Sequence, residues 1–113
     1  MHLFIDLLRV SITHDTYIVV VGEFVILQCT VTSDTPVTAV KWTKTFNGRT
    51  QYIVTSGNSR YSGGTINSPT LGITKAVYSD MGYYTCWATN IEGTTSSQQT
   101  YLNISGSMIL TNK

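Results

Sequence analysis

Asp80-Met81-Gly82-Tyr83-Tyr84-Thr85-Cys86-Trp87-Ala88 is the stretch that decides the fold. Successive side chains of an extended strand point to opposite sides, so Tyr84, Cys86 and Ala88 share one face and Tyr83, Thr85, Trp87 and Thr89 the other. Turn formers bracket the run, Ser79-Asp80 before it and Asn90-Ile91-Glu92-Gly93 after it. With the small and apolar set inward, the string is a half-buried β-strand that carries a cysteine at its centre.

The same period of two recurs outward from this strand. Val25, Leu27, Cys29 and Val31 share a face, and shorter alternations lie at Val40-Lys41-Trp42-Thr43, Leu71-Gly72-Ile73 and Leu102-Asn103-Ile104. Turn chemistry at Ser33-Asp34-Thr35-Pro36, Asn47-Gly48, Ser56-Gly57-Asn58 and Gly63-Gly64 separates them, the punctuation of a sandwich or barrel. No window carries a capped helical period, and the most helical stretch is a short turn near Val77-Tyr78-Ser79. Gly72, between two apolar strand residues, predicts a gap on the outer side of its strand. The 113 residues are 42% hydrophobic and only 12% charged, which suits one compact β domain and argues against disorder. A net charge of +1 without a run of basic residues gives no support for nucleic acid or an anionic membrane as partner. The longest apolar run, Tyr17-Ile18-Val19-Val20-Val21, is far below the ~20 residues of a membrane-spanning helix. Residues 1–8 read as a truncated leader or flank, 9–105 as the domain, and 106–113, with Met108-Ile109-Leu110, as a tail or linker.

Cys29 and Cys86 are the only cysteines, 57 residues apart on inward positions of separate strands, with Trp42 between them. In a two-sheet sandwich such a pair can bridge the ~10 Å between layers, with an indole filling the space beside it. A reduced buried pair is the alternative. Together with Cys29 and Trp42, the D-x-G-x-Y-x-C string Asp80 to Cys86 closely resembles the immunoglobulin superfamily, over roughly residues 10–105. The resemblance implies an all-β sandwich of two antiparallel sheets with Greek-key connections. It implies a Cys29–Cys86 disulfide over Trp42, and a tyrosine corner at Tyr84 with Gly82 in the turn before it. It also implies an ion pair between Asp80 and Arg60, because Arg60-Tyr61-Ser62-Gly63 is similar to the family's opening of strand D. Cys86-Trp87-Ala88-Thr89-Asn90-Ile91-Glu92-Gly93 looks like the F–G turn of I-set domains. The short stretch from Trp42 to Arg60 has room for a C′ strand near Gln51-Tyr52-Ile53 but not for a C″ hairpin.

The chain offers no catalytic constellation. Its two histidines, His2 and His14, stand near the start and its six acids are scattered. His14 beside Asp15 reads as a solvated pair, so no metal, cofactor or enzyme activity is expected. The outward parity of the cysteine strand instead places Trp87 and Tyr83 on one face with Lys41 and Thr43, joined by Tyr101 and by Tyr52 from C′. Trp and Tyr dominate interface energetics, so this set is a candidate recognition face. Asn103-Ile104-Ser105 is a glycosylation sequon on the same side. The expected function is that of an extracellular or cell-surface adhesion or binding module. It would contact a protein partner, homophilic or heterophilic, beside further immunoglobulin-like domains of the same chain. The alternative is an intracellular spacer of the muscle-scaffold kind with reduced cysteines.

Overall fold

The structure, a computed structural model, describes residues 7–106. The flank at 1–6 with His2 and the tail at 107–113 with Met108-Ile109-Leu110 lie outside the described residues. The described residues contain eleven strands in two packed layers. The first holds β1 (Leu8–Ile12), β3 (Val25–Leu27), β4 (Cys29–Ser33), β7 (Tyr61–Gly63) and β8 (Leu71–Ile73), paired as β1-β4 and β3-β8-β7. Gln28 alone separates β3 from β4, so the run Val25 to Ser33 joins both pieces into one layer. The second layer runs β2 (Thr16–Val20), β11 (Thr100–Ser105), β9 (Gly82–Asn90), β5 (Ala39–Phe46) and β6 (Arg49–Tyr52), with β10 (Gly93–Ser96) also on β9. No strand lies between Tyr52 and Tyr61, and the described residues contain one helical turn, the 3-10 segment Tyr78–Asp80.

Every ladder is antiparallel except one. The first strand begins at Leu8, pairs with β4, and ends at Ile12; Thr13-His14-Asp15 then carry the chain across to the other layer, where β2 runs parallel to β11. The crossing is held by backbone and side chain together: Tyr101 N–H donates to the Asp15 carbonyl at 2.8 Å and the Thr100 hydroxyl to the His14 carbonyl at 2.7 Å.

The core is built by the inward halves of the alternating strands. Val25, Leu27 and Cys29 meet Leu71 and Ile73 from the first layer, and Trp42, Tyr84, Cys86, Ala88, Leu102 and Ile104 close over them from the second. The disulfide between Cys29 and Cys86 spans the layers at a Cα–Cα distance of 6.4 Å, and the Trp42 ring is 1% exposed. Its indole N–H, which would be costly to bury unpaired, donates to the Pro69 carbonyl at 2.7 Å.

Below the disulfide a polar knot fastens the loop into β9. The Tyr84 hydroxyl donates to the Asp80 carbonyl at 2.6 Å. Asp80 is itself buried and its carboxylate is fully occupied: Oδ1 accepts from Arg60 Nη1 at 3.1 Å, while Oδ2 accepts from Arg60 Nη2 at 2.7 Å and from the Val77 backbone at 2.9 Å. Arg60 Nη2 also reaches the Lys75 carbonyl at 2.9 Å. Gly82 follows with φ +154° and so close to β5 that a Cβ would lie 3.0 Å from the Thr45 carbonyl and from Lys44 Cε.

Gly72 leaves no gap, contrary to the reading of the sequence. A Cβ there would stand 2.4 Å from Ser62 Oγ and 3.2 Å from the Phe24 ring, so side chains from β7 and from the turn before β3 already cover the strand. Glycine is what lets the half-exposed Phe24 ring come this close to the strand.

Candidate functional site

The outer face of the second layer collects the residues singled out for recognition, and strand register explains how. On β9, Tyr83 lies opposite Tyr101 of β11 and Thr45 of β5; Thr85 lies opposite Thr43; Trp87 lies opposite Lys41 and, on its other side, Ser96 of β10. Tyr52 of β6 stands opposite Thr43. Five side chains that are dispersed over the sequence from Lys41 to Tyr101 therefore share one surface.

The contacts within it are specific. Tyr83 and Tyr101 pack with ring centroids 4.8 Å apart and planes tilted by 50°, and Lys41 Nζ sits 4.9 Å from the Tyr52 centroid, a cation–π contact. Tyr52 is 67% exposed and Tyr83 is 47% exposed, whereas Tyr101 is half-buried. Trp87 is also half-buried, because its indole N–H donates to Thr43 Oγ1 at 2.9 Å.

Outward parity and exposure part company at the centre of this face. Thr43 and Thr85 both point away from the core and yet are buried. They form a polar floor beneath the aromatic side chains, which sequence parity placed on the face but could not show to be covered. Thr45 and Thr50 share a hydroxyl–hydroxyl bond of 2.7 Å beside it. Ile18, 69% exposed on β2, was also missed: it sits in the apolar run Tyr17 to Val21, where only the inward Tyr17 and Val19 pack on the core. Asn103 lies on β11 opposite Ile18, two residues from Tyr101 and on the same side of the sheet.

The knot residues Arg60, Asp80, Tyr84 and Gly82 gather elsewhere, with Cys29, Cys86 and Trp42 in the interior above them. Burial, with the Asp80 charge adding to it, pushes the Tyr84 phenol far above its ordinary range. Burial moves Lys44 the opposite way, downward, with Asp80 only partly opposing. His14 is exposed and meets Tyr17 edge-on at 5.4 Å, and Asp15 contributes its carbonyl rather than a ligand. Among the described residues no three of His, Cys, Asp and Glu come close enough to hold a metal.

Comparison with known proteins points one way. Residues 9–90 match the family model described as immunoglobulin domain. No curated protein is similar to the chain by sequence. A solved structure titled "Tandem Ig repeats of Dlar" superposes with a TM-score of 0.70 at 27% identity, over 87% of this chain and 49% of that one. The chain thus spans about half the length of that structure.

Proposed function

The chain belongs to the immunoglobulin domain family, and from that premise we propose that it is an extracellular recognition module that binds a protein partner through the outer face of its second layer. The observation that carries this reading is the grouping of Trp87, Tyr83, Tyr101, Tyr52 and Lys41 over the buried pair Thr43 and Thr85. Such a face combines rigid aromatic anchors with a single cation and hydroxyls at its floor, the composition of an interface centre rather than of an average surface. Immunoglobulin-like domains are typically non-enzymatic binding modules, which supports binding as the chemistry of this face. The disulfide across the layers supports an oxidising compartment over an intracellular spacer role.

Further domains of the same fold are proposed to flank this one. The match to half of a tandem-repeat structure supports this, as do the exposed apolar side chains of Val21, bonded through its N–H to the Ser105 carbonyl, and Tyr78, beside Gly106. Asn103 is proposed as a glycan acceptor; a glycan there would stand beside Tyr101 and leave the β5–β6 side of the face open.

Sedimentation from ~1 µM to ~1 mM, run on wild type and Tyr83→Ala with and without the glycan, tests the partner. Concentration-dependent dimers lost in the variant support homophilic binding; a monomer that captures a foreign ectodomain through the same face supports a heterophilic one. Two free thiols in the natively isolated protein would return the reading to the intracellular spacer.

A further inference from the structure

A second cluster lies round the edge from the aromatic face, where β6 ends and the chain returns to β7. Lys44, Arg49 and Arg60 are spread along the sequence and belong to three strands or their flanks, yet they line two recesses that share Lys44 and Gln51. The larger, of about 310 Å³, is bounded by Lys44, Gln51, Asn58, Arg60, Tyr61 and Asp80; the smaller, of about 160 Å³, lies between Lys44, Gln51 and Arg49. The larger volume falls at the lower end of what small-molecule sites occupy, about 300–1,000 Å³.

The polar groups of this cavity are unbalanced. Its one carboxylate, Asp80, spends both oxygens on Arg60 and on the Val77 backbone. The Asn58 side-chain oxygen is likewise taken, by the Arg60 backbone N–H at 3.0 Å. The donors are not used up. Lys44 Nζ, with three hydrogens, donates to the Ser79 carbonyl. Arg60 turns Nη1 to Asp80 alone, and the Asn58 and Gln51 amide nitrogens have no hydrogen-bond partner among the described residues. Lys44 and, in the smaller recess, Arg49 are thus cations without a carboxylate partner among the described residues, beside the paired Arg60 and Asp80, and the amides of Asn58 and Gln51 add spare N–H groups. Tyr61 supplies an aromatic ring at the edge of the recess, its centroid 5.6 Å from the Arg60 guanidinium carbon, whereas the Tyr52 ring turns to the outer face and Lys41.

We propose that this recess is a binding site for an acidic sugar, one sulfate or carboxylate group seated between Lys44, Asn58 and Arg60 and the ring against Tyr61. An anion brings acceptor oxygens and no donors, which suits the free N–H groups of Lys44, Asn58 and Gln51. The Tyr61 ring favours a sugar ring over a bare inorganic ion. The site is separate from the aromatic face: Tyr52 alone borders both, so a partner on that face and a sugar in the recess can be held at once.

Amide NMR titrations of the folded domain with galactose 6-sulfate, glucuronate, galactose and sodium sulfate test this. Expected are saturable shifts centred on Lys44, Gln51, Asn58 and Tyr61 with one or both acidic sugars, millimolar in affinity and weakened by added salt. Which acid binds more tightly identifies the group. Galactose should leave these amides unmoved, and Lys44→Gln should weaken binding at least tenfold. Arg49→Gln, which changes an exposed side chain, should weaken it two- to threefold and serves if Lys44→Gln does not fold. Absence of saturable shifts with either acid up to 50 mM, shifts that survive both substitutions, or equal binding of galactose would overturn the site. Sodium sulfate binding as tightly as the sugars would overturn the role of the ring.

Discussion

Two tryptophans of one chain carry different duties, and their surroundings say how different the cost of losing them is. Trp42 is enclosed beside the disulfide, so Trp42→Ala is expected to remove about 3–5 kcal/mol of stability, measured by urea unfolding. Trp87 is only half-covered, but it shelters Thr43, and Trp87→Ala is expected to cost a smaller ~1–3 kcal/mol while it weakens partner binding. Tyr84 permits a pH test. Its pKa in the fold is raised above the ordinary value near 10, so its contribution to stability is complete below pH ~10 and is lost as the pH climbs past that value. Tyr84→Phe should therefore be about 1–2 kcal/mol less stable than wild type at pH 7, because the Asp80 carbonyl loses its donor, and the difference should shrink at pH 11. At this scale the sequence was informative for inward residues, whose identity is dictated by packing. It was less so for Thr43 and Thr85, whose burial depends on which side chains arrive from neighbouring strands.

Among the elements, those with a clean period of two were legible: β3 with β4, β5, β8, β9 and β11 each present an inward row that any reader of the sequence can mark. β2, β6, β7 and β10 were harder. Tyr17 to Val21 is apolar throughout, so its alternation is masked, while Arg49-Thr50-Gln51-Tyr52 is an edge strand with every side chain exposed and no apolar row to reveal it. β7 is defined less by its side chains than by a backbone need. Gly63 has φ +72°, and a Cβ there would meet the Thr70 carbonyl at 2.0 Å. Gly63→Ala is expected to cost about 2 kcal/mol or more, because backbone and not a movable side chain stands in the way; thermal melting would register it. The gap foreseen at Gly72 failed for the complementary reason, since Phe24 approaches from a turn that strand periodicity does not describe.

For the molecule as a whole, the disulfide sets the unfolded state as much as the folded one. It closes a loop of 57 residues, and replacing both cysteines by alanine is expected to lower the unfolding free energy by about 4 kcal/mol, with reductant then having no further effect. The candidate site was legible as a parity argument about one strand. Its neighbours, Lys41, Tyr52 and Tyr101, join it only through pairings between segments far apart in sequence, and the cationic recess on the edge had no signature in the sequence for the same reason.

The crossing of the chain from β1 to β2 also fixes how the domain answers a pull. Because β2 runs parallel to β11, the strand near the start of the fold and the one near its end point the same way, and tension applied through the two ends draws them past each other along their length. The hydrogen bonds from Tyr101 to Ser105 are then loaded together in shear, not opened one after another as a zipper. A domain pulled at both ends would hold on this ladder until several bonds fail at once.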